Sequence, residues 1–255
     1  MSNRFRFLDL QVADAYTNMA VDEAITKARG EGKVPDTLRF YMWNPSAVTL
    51  GYFQSVEDEV NLDALRSFGF YLNRRISGGG AVLNSATGEI TYSVILKEDD
   101  HRISSDPTES YRYLCQGIIE ALAVLGIKAD FKPINDIIVG GKKISGNAQI
   151  RRYGAVLHHG TLLVDFSAKE MFGVLKVSKE KLSDKMIKQA EERVTTIQRL
   201  LGRKIGFPEV RDALEQGYRK ALDADLFKGN LNPYEEQLVI QLRSRYESKE
   251  WIYRR

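Results

Sequence analysis

The sequence predicts an α/β (α+β) chain built on a mixed, largely antiparallel sheet flanked by helices. Three observations predict it. Strand-like segments follow one another as neighbouring hairpins in the middle of the chain. Helical patterns precede and separate them and then close the sequence. The regular strand–helix alternation of a doubly wound fold is missing. With 255 residues, no internal repeat and no Pro/Ser-rich linker, the chain reads as one domain over residues 1–255.

The elements follow in order. Thr17 to Lys27 places Met19, Ala20, Ala24 and Ile25 at helical spacing, with Thr17 or Asn18 as N-cap. Thr37 to Trp43 is rich in aromatic and β-branched residues and reads as a strand; Ser46 to Tyr52 reads as another, broken by Gly51. Leu62 to Phe68 is a short helix between an Asn61 cap and a stop at Gly69. Phe70 to Arg75 is a strand leading into Gly78-Gly79-Gly80. Glu89 to Lys97 alternates Ile90, Tyr92, Val94 and Leu96 against Thr91, Ser93 and Ile95. Tyr111 to Leu125 is a helix ended by Gly126. Ile137 to Val139, Gly140-Gly141 and Lys142 to Ile150 form a hairpin with a glycine turn. Ala155 to Phe166 is a further strand. Lys169 to Lys176 and Lys179 to Arg193 read as charge-rich helices. Pro208 to Leu222 and Pro233 to Tyr246 close the chain as helices opened by a proline.

Composition narrows the function classes. A chain that is 43% hydrophobic and 28% charged is neither disordered nor low-complexity. A net charge of +3 is too balanced for a dedicated nucleic-acid binder, although a local basic patch remains possible. The single cysteine, Cys115, allows no intrachain disulfide and disfavours a Cys-based zinc site. Met1 to Asp14 lacks the apolar core of a signal peptide, and no apolar run is long enough to span a bilayer. A cytoplasmic protein with no membrane partner is expected.

Three segments carry chemistry. The first is Arg74-Arg75-Ile76-Ser77-Gly78-Gly79-Gly80-Ala81-Val82. Its glycines leave bare backbone for a ligand, and its arginines supply bidentate donors for phosphate or carboxylate. No helix follows it, so it is neither a P-loop nor a dinucleotide fingerprint. A flexible loop with solvated arginines is the plainer alternative. The second runs from Asn135-Asp136 to Lys142-Lys143-Ile144-Ser145-Gly146-Asn147-Ala148-Gln149. Asp136 can hold Mg²⁺ through oxygen. One of the two lysines points inward to neutralise a phosphate or carboxylate, and periodicity does not say which. Small residues at Gly146 and Ala148 suit a ligand packed on the sheet. The third is His158-His159-Gly160-Thr161-Leu162-Leu163. Adjacent strand histidines point to opposite faces, so they do not share a metal. Cys115 lies in a helical pattern and reads as a buried structural thiol.

Taken together and in this order, Arg75 to Val82 with Gly88, Asn135-Asp136, Lys143 to Gly146 and His158 to Leu163 resemble the lipoate–protein ligase A family. That family belongs to the biotin/lipoate ligase and octanoyltransferase superfamily. Asn18-Met19-Ala20 to Asp22-Glu23-Ala24 resembles its first helix. The resemblance implies a two-step reaction. A lipoate or octanoate carboxylate attacks the α-phosphate of ATP to form acyl-AMP, and a lysine of a lipoyl-carrier domain then takes the acyl group. That carrier would be a 2-oxoacid dehydrogenase acyltransferase subunit or a glycine cleavage carrier protein. By the same resemblance Lys143 is the catalytic lysine. Arg75, Gly78, Gly79 and Gly80 line the acyl and phosphate path, and Ala81, Val82 and Leu83 continue that wall. Asp136 assists Mg²⁺ and ATP, and His159 faces the distal end of the acyl chain. Lys169 to Arg193 corresponds to the adenylate-binding loop and lid.

Two departures stand out. Asn84 replaces a histidine common in the family. The accessory domain that many members carry beyond the region of Trp251 is not expected here, so a separately encoded partner can be required. Two alternatives remain. One is an octanoyl transferase working from acyl carrier protein without ATP, a type that uses a cysteine nucleophile near the catalytic lysine. The other is a non-catalytic acyl-binding module.

Overall fold

The computed structural model describes residues 3–165, 167–176 and 192–254. A large sheet forms its spine. Its strands are β1 (Asn3–Ala13), β2 (Thr37–Trp43), β6 (Glu89–Lys97), β7 (Asp130–Lys132), β8 (Asp136–Val139), β9 (Lys142–Arg152), β10 (Ala155–Leu163) and β11 (Ala224–Lys228). Their spatial order is β11-β1-β2-β6-β10-β9-β8-β7. β1 runs parallel to both β11 and β2. Every pairing from β2 through to β7 is antiparallel. The expected mixed, largely antiparallel sheet flanked by helices is therefore what forms. A small second sheet orders β4 (Tyr71–Arg74), β3 (Ala47–Leu50) and β5 (Val82–Asn84).

Helices cover both faces of the large sheet. On one, α4 (Pro107–Val124) and α7 (Phe207–Ala221) pack over Phe5, Phe7, Phe40, Tyr92 and Val94. They lie close because Gly117 and Gly217 carry no side chain: a Cβ on Gly217 would sit 2.3 Å from the Ala121 nitrogen. On the other, α1 (Ala15–Gly30) and α8 (Pro233–Glu247) cover Leu8, Tyr41, Ile95 and Leu157. A buried bidentate ion pair, Arg6 to Glu235 at 2.6 Å for both contacts, ties β1 to the start of α8.

Several boundaries differ from the sequence expectation for local reasons. The α1 helix is capped by Asp14, whose carboxylate accepts from the Thr17 amide at 2.7 Å, so the cap is neither Thr17 nor Asn18. Asp106 with Pro107 starts α4 a turn before Tyr111. β5, β7 and β11 are short and carry no strong alternation, and tertiary pairing makes them strands; β1, missed by the sequence reading, does alternate over Arg4-Phe5-Arg6-Phe7 and Leu8-Asp9-Leu10. The predicted caps at Asn61 and Gly69 are seen around α3 (Leu62–Ser67). Lys169 to Lys176 is the short helix α5 (Ala168–Val174). The helix expected over 179–193 lies, from 179 to 191, outside the described residues.

Candidate active site

The cavity lies on the α1 face of the large sheet, between it and the small sheet, and has a volume of about 380 Å³. Its floor comes from alternate residues of neighbouring strands: Glu89 and Thr91 of β6, His159, Thr161 and Leu163 of β10, and Gly146 and Ala148 of β9. The glycine loop and the start of β5 form one wall through Gly79, Gly80, Ala81, Val82 and Leu83. Met19, Tyr41 and Trp43 close one end, and Glu170 and Met171 of α5 lie along the rim.

A bulge decides which lysine enters. Along β9 the register against β8 shifts between Ile137, opposite Ser145, and Ile138, opposite Lys143. Regular alternation from Gly146 and Ala148 would turn Ile144 toward the cavity and Lys143 away. The extra residue reverses that parity. Ile144 drops into the core on the other face, and Lys143 lines the cavity. Gly146 leaves room for this placement: a Cβ there would stand 2.7 Å from the Lys143 ammonium nitrogen, which would have to shift. That nitrogen lies 2.7 Å from an Asp136 carboxylate oxygen, while Lys142 is exposed. Asn135 braces the hairpin through hydrogen bonds with Asn147 of 2.6 and 2.9 Å.

Both arginines of the glycine segment spend donors on backbone carbonyls, which the sequence reading did not anticipate. Arg74 is fully buried and donates to the carbonyls of Gly51, Tyr52, Gln54 and Ile252. Arg75 donates to the carbonyls of Thr49, Gly78 and Gly80 at 3.1, 2.8 and 2.8 Å. Burial lowers its pKa to about 10, still protonated at neutral pH. Arg75 thus shapes the loop from inside while lining the cavity. Gly79 has φ of 97°, and its carbonyl comes so close to Gly51 that a Cβ there would lie 1.9 Å away. Gly78 lines a separate surface groove with Tyr52, Phe53 and Tyr111.

His159 is held at both ends. Its Nε2 is 2.7 Å from Ser77 Oγ, and its Nδ1 is 3.2 Å from Asp22 Oδ2. Asp22 also accepts from Arg39 Nη1 at 2.7 Å, Ser93 Oγ at 2.7 Å and Tyr41 OH at 3.0 Å. Burial opposes ionisation of Asp22, but hydrogen bonding to His159 and the Arg39 guanidinium outweigh it and hold its pKa below the usual carboxylate value. An ionised Asp22 only accepts, so His159 Nδ1 carries a proton toward it. His158 points to the opposite face, as strand geometry requires. Burial, with a smaller contribution from His159, pushes its pKa down to about 3. Its Nε2 lies 4.0 Å from Cys115 Sγ. Burial raises the Cys115 thiol far from thiolate formation, and the sheet separates it from the cavity.

Sequence reasoning missed Glu89, which is 2% exposed and lines the cavity; burial raises its carboxyl to about 8. Its one available signal was a lone acid at the head of an otherwise apolar strand. Asn84 is buried against Thr49 Oγ1 at 2.9 Å and takes a structural place at the cavity edge. Among the described residues no group of three or more His, Cys, Asp or Glu side chains is arranged to hold a metal. Asp136 can contribute one carboxylate oxygen to Mg²⁺, with phosphate oxygens of a substrate completing the shell, which is how Mg²⁺ is usually held. Among the described residues no helix is long and apolar enough to cross a membrane.

Comparison with known proteins agrees with this geometry. The family model of the lipoyl protein ligase A/B catalytic domain matches residues 14–219. The chain is 34% identical to octanoyltransferase LipM of Geobacillus kaustophilus over 98% of both chains. It is 32% identical to octanoyltransferase LipM of Clostridioides difficile over 99% of this chain and 100% of that one. Among solved structures, a bipartite lipoate protein ligase from Thermoplasma acidophilum, described with its E2 lipoyl domain, superposes with a TM-score of 0.88 at 33% identity, covering 98% of this chain and 96% of that one. A lipoate–protein ligase A bound with ATP superposes with a TM-score of 0.85 at 30% identity over 98% of both chains. The chain therefore belongs to the lipoyl protein ligase A/B catalytic-domain family, whose members attach lipoate or octanoate.

Proposed function

We propose that this chain joins a lipoyl or octanoyl group to a lysine of a lipoyl-carrier domain, and that it activates the acyl carboxylate as an acyl-AMP made from ATP. One observation carries the choice of donor. The only cysteine of the sequence, Cys115, is buried beneath the opposite face of the sheet. A buried thiol across the sheet disfavours a covalent thioester on this chain, and a lysine lining the cavity suits adenylate chemistry. The structural similarity to an ATP-bound ligase supports the reading.

The residues divide the work. The apolar wall from Ala81 to Leu83, with Ala148 and Leu163, takes the hydrocarbon chain. His159, fixed by Asp22 and Ser77, closes its far side. Lys143 sits where negative charge develops as carboxylate and α-phosphate meet, a place where one positioned donor is worth about 10²–10³ in rate. Asp136 holds the Lys143 ammonium in place and would share Mg²⁺ with the phosphates. Bound Mg²⁺ would neutralise phosphate charge. The backbone of Gly79 and Gly80 allows the ligand to approach without side chains. The acyl acceptor is read as a lipoyl domain, as in the bipartite archaeal ligase, and that relative supports a second chain supplying any accessory domain.

A second reading has its own support. The curated relatives are named octanoyltransferases, which favours transfer from octanoyl acyl carrier protein more directly than the ligase reading does. One experiment separates the two. Purified chain, with octanoate or lipoate, ATP and Mg²⁺, is expected to release pyrophosphate and build acyl-AMP. Absence of both, with efficient transfer from octanoyl acyl carrier protein to a lipoyl domain, overturns the ligase reading and establishes the transferase.

A further inference from the structure

Joining an acyl group to an amine requires that a proton leave the nitrogen, and most of the cavity's titratable groups cannot take it. Lys143 is ion-paired with Asp136 and serves as a donor. Arg75 spends its guanidinium on the carbonyls of Thr49, Gly78 and Gly80. Both ring nitrogens of His159 are engaged, by Ser77 and Asp22. Asp165, just past the end of β10, is exposed to solvent, and Glu170 of α5 is half-buried at the rim.

Glu89 differs from all of them. It opens β6 and stands opposite Leu163 of β10. Leu162 in turn stands opposite Ser145 of β9, so Lys143 lies at the same end of the sheet, two strands from Glu89. At ~4.8 Å per strand the two backbones are roughly 10 Å apart, room for one reacting carbonyl between their side chains. The proton directions at Glu89 are also fixed. Trp43 Nε1 donates to Thr91 Oγ1 at 2.7 Å, which turns the Thr91 hydroxyl to donate to Glu89 Oε1 at 3.3 Å. Glu89 is thus held by neutral donors, the Thr91 hydroxyl and the Ser85 backbone N–H, and lines the cavity; among the described residues no guanidinium or ammonium is hydrogen-bonded to it.

We propose that Glu89 is the general base that takes the proton from the acceptor lysine's amine during acyl transfer. The amine nitrogen forms a bond to the acyl carbonyl carbon. The bond from that carbon to the adenylate oxygen, or to sulfur in a thioester donor, breaks. The leaving group departs as an anion, and the amine proton passes to the Glu89 carboxylate. Burial raises this carboxyl to about 8, near the working pH, where a base combines availability with driving force. The proposal rests on the reading that the chain acylates a carrier lysine, and it holds for either donor.

The test measures single-turnover transfer to a lipoyl domain from preformed octanoyl-AMP in one arm and from octanoyl acyl carrier protein in the other. Glu89→Gln is expected to slow transfer by about 10²–10³ in whichever arm the wild type uses. Octanoyl-AMP binding should stay unchanged, and the melting temperature should not fall. Added formate should restore part of the rate to Glu89→Ala, because a small carboxylate can occupy the vacated space. Wild-type transfer by Glu89→Gln, or a loss of rate that formate does not relieve in Glu89→Ala, overturns the proposal. Wild-type turnover only from octanoyl acyl carrier protein removes the adenylate reading and leaves the Glu89 assignment to be decided in that arm.

Discussion

His158 and His159 are neighbours in one strand, yet they sit in two different solvents. His158 points into the core beneath α4, beside Cys115 and between the rings of Tyr92 and Tyr111, with its Nδ1 unpartnered. His159 points into the cavity with both ring nitrogens engaged. The sheet thus separates an apolar face, where polar groups are kept neutral by burial, from a face where charges are paired and aimed. The chemistry proposed above uses the second face, where Asp22 pairs with Arg39, Lys143 pairs with Asp136, and Glu89 lines the cavity.

The largest break in this contrast comes from the buried charge pair. Asp22→Ala leaves the Arg39 guanidinium buried without its carboxylate and should destabilise the fold by about 3–5 kcal/mol. Chemical denaturation reads this directly; a loss below 1 kcal/mol would show that the network is not what holds the cavity floor. Next is Lys143→Ala, expected to lower acyl transfer by about 10²–10³ with the melting temperature unchanged, since the side chain is partly exposed and, among the described residues, ion-paired with Asp136 alone. Retained activity removes Lys143 from the chemistry.

Titration sharpens the contrast from both sides. A buried acid and a buried base destabilise in opposite pH directions. Glu89, at about 8 when folded against an ordinary 4.5, keeps its proton while the unfolded chain has lost it. Its contribution is therefore complete below about pH 4.5 and declines as pH rises toward 8. His158, at about 3 against 6.5, stays neutral while the unfolded chain binds a proton, so stability falls as pH drops below 6.5. Each slope is at most about 1.4 kcal/mol per pH unit. Glu89→Gln should flatten the alkaline limb of a stability-versus-pH curve and His158→Leu the acid limb. Unchanged limbs in either variant would mean that the group is hydrated in solution.

How far the sequence revealed this arrangement depended on the range of the forces involved. Local signals read well: the Asn61 cap, the glycine stop at Gly69 and the Gly140-Gly141 turn depend on residues adjacent in the chain. Strict alternation placed the two histidines on opposite faces. It could not choose between Lys142 and Lys143, because the choice is made by a one-residue bulge set by pairing with β8. The carbonyl acceptors of Arg74 and Arg75 were not legible because the fold brings them close, for Arg74 from as far away in sequence as Ile252 and for Arg75 from Thr49. Glu89 went unread for the complementary reason: an acid at a strand end is ordinary until the fold buries it.

The smallest effect is also the one that bears most directly on the acyl donor. Cys115→Ala removes one sulfur from the core beside His158, where the helix side of the sheet is close-packed. The loss should be about 1 kcal/mol, the scale of one buried methylene-sized group and a small void. Acylation of a lipoyl domain should proceed at the wild-type rate, because the thiol lies across the sheet from Lys143 and burial holds it protonated. A gel-shift assay of domain acylation, run for both proteins with acyl-AMP and with octanoyl acyl carrier protein, reads the outcome. Equal rates confine the acyl group to the Lys143 face; abolished transfer with retained stability would mean that the acyl group crosses to Cys115, and the division between the two faces would fall.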